Sequence, residues 1–173
     1  MSKDVLQLRR LLSVIAGGFL GTIARYLLSL AIQGMLGNSW PFDILTINIT
    51  GAFLIALLTT FADAAIFIGP KRRLFFNVGF LGAYTTFSSL ALGSVNLLAG
   101  QQLWPALLYI VCSLLGGILA VLLGQYCAIV VIARMQQSGA TTASPSLAVP
   151  EERKLMLDPE VSTTSLHEEE RTF

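Results

Sequence analysis

Charge is scarce in this chain. Asp, Glu, Lys and Arg make up 12% of its 173 residues, against 54% hydrophobic residues and a mean hydropathy of +0.73. A soluble globular domain carries about 25% charged residues, so this composition reads as a protein that crosses a bilayer several times. Cysteine is also scarce. Cys112 and Cys127 stand alone on one predicted helix, which excludes a disulfide framework and a thiolate metal site and leaves two small apolar groups. The lone histidine, His167, lies in a polar tail and has no partner for catalysis. No Asp or Glu occurs between Val5 and Phe42, so the first apolar segment has no carboxylate to couple protons. A phosphate-binding glycine loop, a metal-ligand cluster and a nucleophile–base pair are all missing, and the chain reads as a non-enzyme. A cleavable signal peptide is not expected, because the first apolar segment is long, carries Arg25 and is followed by further spans.

What is present is apolar sequence in four runs. The spans run roughly Leu11–Gln33, Phe42–Ala62, Leu74–Leu98 and Pro105–Ala133, each with the ~20 residues that hydrocarbon thickness demands. Pro41 marks the start of the second, where a helix's first turn tolerates it. The expected fold class is therefore an all-α membrane protein of four transmembrane helices. The net charge of +1 hides a split: residues 1–137 carry +5 and residues 138–173 carry −4. The first region reads as a membrane body. The second, rich in Ser, Thr, Pro and Glu, reads as a disordered acidic tail, either simply solvated or partner-binding. Lys3, Arg9, Arg10, Lys71, Arg72, Arg73 and Arg134 all fall at the N-terminus, the second loop and the end of span four. The positive-inside rule then places both termini in the cytoplasm.

One stretch of span three is a poor helix. Gly79 to Ser89 reads GFLGAYTTFSS. Gly79 and Gly82 weaken a helix, and Thr85-Thr86 is a β-branched pair. Backbone that leaves the helical ladder at membrane depth survives only where protein buries it or where it lines a wet cavity. A break here is expected to free carbonyl oxygens, which suit a hard cation such as Na⁺. The half-helix after it has a partly positive N-terminus, which favours an anion. Phe87 follows directly, and a ring edge is electropositive.

The other spans offer neutral donors. Gly17 and Gly21 form a small-xxx-small pair for close helix packing. Arg25 lies well inside span one, where it either borders an aqueous vestibule or snorkels. Asn48 offers two amide donors, as interhelical glue or as an anion ligand. Tyr109 and Ser113, one turn apart with Gly116 and Gly117 next, form a hydroxyl face on span four. A donor-lined route with few fixed charges suits passive movement of a small anion better than pumping. The residues alone do not select the anion.

These residues resemble a known family, the fluoride channels also called Fluc or CrcB. Gly17-Gly18-x-x-Gly21-x-x-x-Arg25-Tyr26, Thr46-x-Asn48-x-x-Gly51-x-Phe53 and Gly79-Phe80-x-Gly82-x-x-Thr85-Thr86-Phe87-Ser88 are similar to that family's three motifs. The resemblance covers roughly Leu11 to Ala133. It implies a broken third helix and an antiparallel dimer of two such subunits with two fluoride pores. It implies a structural Na⁺ held by carbonyls of Gly82 and Thr85 from both subunits. It implies pores lined by Asn48 and Phe87, with polar contacts from Ser88, Ser89 and Tyr109. The activity implied is passive fluoride export that relieves cytoplasmic toxicity, across the inner membrane of a cell.

Two positions depart from the family pattern. A second phenylalanine usually follows the first by three residues, and Leu90 stands there. A glutamate often follows a few residues later, and Ala91 to Asn96 contains none. The one-sided Lys/Arg distribution is also unlike that of a chain that inserts both ways. It points to a heterodimer with a paralogue of opposite orientation rather than a homodimer. The rival readings are a four-helix multidrug-type transporter, opposed by the missing carboxylate in span one, and a non-transporting membrane scaffold.

Overall fold

A computed structural model describes residues 3–64 and 70–142. Contacts divide the chain into two units, Met1–Arg134 and Met135–Phe173. The second is described only for the last turns of one helix, and the expected acidic tail lies outside the described residues from Ala143 on. The first unit holds helices α1 (Lys3–Leu36), α2 (Phe42–Asp63), the short α3 (Pro70–Arg73), a π-helical segment (Leu74–Leu81), α4 (Gly82–Tyr84), α5 (Phe87–Ala99) and most of α6 (Leu103–Thr142). Among the described residues, four helical stretches are long and apolar enough to cross a membrane: Lys3–Leu36, Phe42–Asp63, Lys71–Ala99 and Leu103–Gln137. At 1.5 Å per residue, α1 is about 51 Å long, so it outreaches the ~30 Å hydrocarbon core.

The third crossing is the irregular one. It starts as α-helix, widens into the π segment and ends its first half at Tyr84. Thr85 (φ −77°, ψ 155°) and Thr86 (φ −151°, ψ 119°) are extended, and α5 restarts at Phe87. The break therefore sits at two β-branched residues, which favour extended backbone. The glycines flanking it serve other ends. The Gly82 N–H reaches back to the Asn77 carbonyl, the wide spacing of a π turn.

Gly79 belongs to a close backbone-to-backbone contact between α1 and the π segment. A Cβ on Gly79 would stand 2.7 Å from the Val14 carbonyl oxygen and 3.0 Å from Gly17 Cα. A Cβ on Gly17 would meet the Phe75 carbonyl oxygen, and one on Gly21 the Phe80 carbonyl oxygen. The expected small-residue face of span one thus packs against the third span.

Two clusters of buried side chains flank the break. Ile47, Leu81 and Tyr84 are joined by Ala24, Leu28, Ile55, Leu58 and Phe80. Leu97, Ala106 and Tyr109 are joined by Trp40, Ile44, Leu45 and Leu90. Most other large apolar side chains point outward, as they must where the surroundings are lipid or another subunit. At the edge of the membrane body, Asp63 is exposed and pairs with Arg73 at 3.0 Å.

Candidate functional site

The break is held by α2. Asn48 Nδ2 donates to the Thr86 carbonyl at 3.0 Å, and the Thr86 N–H donates to Asn48 Oδ1 at 2.9 Å. One amide thereby satisfies both backbone groups of the residue that has left the helix. Gly51, three residues on and on the same face of α2, permits this approach, because a Cβ there would run into Thr85 Cγ2. Asn48 and Gly51 are thus two parts of one device. Nδ2 carries a second hydrogen that no described residue accepts.

The diversion of two N–H groups has a direct effect on two carbonyls. In a continuous α-helix the Thr86 N–H would bond Gly82 O, and the Ser89 N–H would bond Thr85 O. Here Thr86 N–H bonds Asn48, and Ser89 N–H bonds Thr86 Oγ1 at 3.2 Å as the cap of α5. Gly82 O and Thr85 O lose those donors. Both are oxygens of the type a hard cation takes.

On the far side of the break, Phe87 opens α5 and is 79% exposed. Ser88 is also exposed, and its Oγ lies 3.1 Å from Thr86 Oγ1. Ser89 Oγ accepts from Thr86 Oγ1 at 3.1 Å. Three hydroxyls and a ring therefore gather at the positive end of α5.

Tyr109 is fully buried. Trp40 meets it edge-on at 5.4 Å between ring centroids, and Gly93 leaves it room, since a Cβ there would lie 3.2 Å from its ring. Its hydroxyl and Ser113 Oγ are both buried with no hydrogen-bond partner among the described residues. Leu90, half-buried, packs against this same cluster, whereas Phe87 is exposed.

Arg25 lines a cavity of about 430 Å³ with Thr22, Tyr26, Ser29, Ile44 and Ser89. A second cavity of about 500 Å³ shares Ser29, Ile44 and Ser89 with it and continues toward Asn38, Asn96 and Gln102. Ser89 thus connects the capped end of α5 to both cavities. Arg25 and Ser89 thus line one cavity, whereas Tyr109 lies in the cluster with Leu97 and Ala106.

Asp43 does not figure among the residues singled out from the sequence. It is buried in the first turn of α2, where Ser29 Oγ donates to its Oδ2 and Gln33 Nε2 donates to the same oxygen at 2.7 Å. In the sequence it looks like an ordinary acid at a helix start, and its partners lie ten and fourteen residues away on another helix. Asn77, on the π segment, donates to Thr59 Oγ1 at 2.8 Å and was likewise not visible in the sequence. Cys112 and Cys127 are both unpaired on α6, and no group of three or more His, Cys, Asp or Glu side chains lies together among the described residues.

Residues 12–125 match the family described as CrcB-like protein, Camphor Resistance (CrcB). The chain is 43% identical to the fluoride-specific ion channel FluC of Acidobacterium capsulatum over 111 residues, 64% of this chain and 89% of that protein. It is 40% identical to the FluC of Chlorobium luteolum over 109 residues, 63% of this chain and 84% of that one. It is 43% identical to the FluC of Thermus thermophilus over 115 residues, 66% of this chain and 90% of that one.

Proposed function

The chain belongs to the CrcB-like family, and from this premise we infer that it is a subunit of a fluoride channel that lets fluoride leave the cytoplasm passively. The observation that carries the reading is the pinned break. Asn48 stabilises extended backbone in the third span without supplying a charge, and neutral donors remain on the side of α5. Fluoride entering a membrane loses very strong hydration, and the replacement must be favourable enough to admit it and weak enough to release it. The second Nδ2 hydrogen of Asn48, the Ser88 and Ser89 hydroxyls and the Phe87 ring edge are groups of that kind. Arg25, beside a cavity that reaches Ser89, would draw anions to one mouth. Tyr109 Oη, buried and unpartnered, supplies one further donor.

The assembly is proposed as an antiparallel dimer. The exposure of Phe87 supports it, because a pore wall of one subunit facing outward is completed by a second. Gly82 O and Thr85 O, deprived of their helical donors, fit a structural sodium ion shared between subunits, where the ion would neutralise the converging carbonyls. The charge bias of the loops supports a partner of opposite orientation, with both termini of this chain in the cytoplasm and the inner membrane as location.

Fluoride efflux from proteoliposomes tests the reading, with the chain alone and with a paralogue of reversed loop charge. Efflux only with the paralogue is the expected result. Robust efflux from the chain alone removes the heterodimer, and none under either condition removes the channel.

A further inference from the structure

The cavity of about 500 Å³ contains a group for which the fluoride path has no use. Asp43 is only 6% exposed, and it lines this cavity together with Asn38, Asn96 and Gln102. An ionised carboxylate taken out of water is costly unless it is paired and hydrogen-bonded. Its hydrogen bonds are in place on one side only. Ser29 and Gln33 both donate to Oδ2, and neither reaches Oδ1. No ion pair to Asp43 is found among the described residues. The N-terminus of α2 offsets part of the cost, about 0.3–1 kcal/mol for a helix end.

We propose that this cavity binds an alkali metal ion, with Asp43 Oδ1 as the charged ligand and side-chain oxygens of Asn38, Asn96 and Gln102 as neutral ones. The ligand class follows from the donor set. All the candidate ligands are hard oxygens, which excludes the metals that take sulfur and imidazole. There is one carboxylate, and no group of three acidic, histidine or cysteine side chains accompanies it among the described residues. A calcium site normally gathers several carboxylates, so one negative charge among amides suits a monovalent ion. The site is distinct from the carbonyls of Gly82 and Thr85. It has a consequence for anions, because the cavity shares Ser29 and Ser89 with the one that Arg25 lines. A cation beside Asp43 cancels the repulsion that its carboxylate would exert on an anion passing Ser89.

The full-length wild-type protein crystallised in a thallous salt decides the matter, with Tl⁺ as the alkali mimic. The expected result is an anomalous peak in contact with Asp43. A map with no peak there overturns the proposal, whether or not a peak appears between Gly82 and Thr85. Fluoride efflux from the same preparation reports separately on the channel reading. In solution, sodium in place of N-methylglucamine should raise the melting temperature of the wild type and of Gly34→Ala, a site with nothing within 4 Å, by similar amounts. The shift should shrink by half or more in Asp43→Asn. An undiminished shift in Asp43→Asn also overturns the proposal.

Discussion

Asn48 grips Thr86 with both ends of its amide, donating at 3.0 Å to the carbonyl and accepting at 2.9 Å from the N–H. The two residues lie 38 positions apart in the chain. The third crossing is split because another helix carries a side chain able to replace both missing backbone partners.

The first prediction concerns that grip. Asn48→Asp keeps the acceptor for the Thr86 N–H but sets a second oxygen against the Thr86 carbonyl. Asn48→Ala leaves both groups buried and unpaired, at about 1–3 kcal/mol each. Both variants should melt earlier and lose about tenfold or more of fluoride efflux, the equivalent of ~1.4 kcal/mol. Efflux unchanged in Asn48→Asp would take Asn48 out of the route.

Phe87 gives the opposite pattern. The residue is 79% exposed, so Phe87→Ala should change the stability of the chain by no more than about 0.5 kcal/mol. Efflux should nevertheless fall severely. A melting curve and an efflux trace on one sample check both halves.

Tyr109→Phe separates two uses of a hydroxyl. The group is buried without a partner, so its removal should leave stability level or raise it by about 1 kcal/mol. If the hydroxyl serves fluoride, efflux drops while the melting temperature does not. A protein that melts earlier would mean that a partner in the folded state has been removed.

Leu90→Phe restores the residue usual in the family at a position that here packs into the Leu97, Ala106 and Tyr109 cluster. A larger side chain should overpack it, with a loss of about 1–3 kcal/mol. No gain in efflux is expected. Increased efflux at unchanged stability would show that position 90 reaches the route.

The glycines make a graded series. Gly17→Ala, Gly21→Ala and Gly79→Ala each drive a methyl into backbone, which cannot yield as a side chain can, and should cost at least the ~1–3 kcal/mol of overpacking. Gly34→Ala, with nothing within 4 Å, should be neutral or slightly stabilising. Thermal unfolding in detergent ranks them.

Much of this was readable from residue type and spacing. The four crossings follow from apolar runs, and the weak point of the third follows from Gly82, Thr85 and Thr86. Gly17 and Gly21 announced a close contact but not its partner, which the fold sets as Gly79 and Phe80. Asn48 was visible as a polar group with donors to offer. That its amide is committed to Thr86 depends on how two helices lie side by side, which local pattern does not record. The π segment left no signal, since a widened turn needs no special residue. Asp43 was hidden for a related reason: its partners Ser29 and Gln33 look like ordinary polar residues near the end of an apolar run.

The meshing of Gly17 with Gly79 has a mechanical consequence. Main chain rests on main chain there, so α1 cannot slide along the π segment by even one residue without collision. These two elements form a rigid block. α5 packs against α2 and α6 through Leu90 and Leu97, and it joins the block through two extended residues. The chain joint between α5 and that block is Thr85 and Thr86, and Asn48 is the latch that holds it.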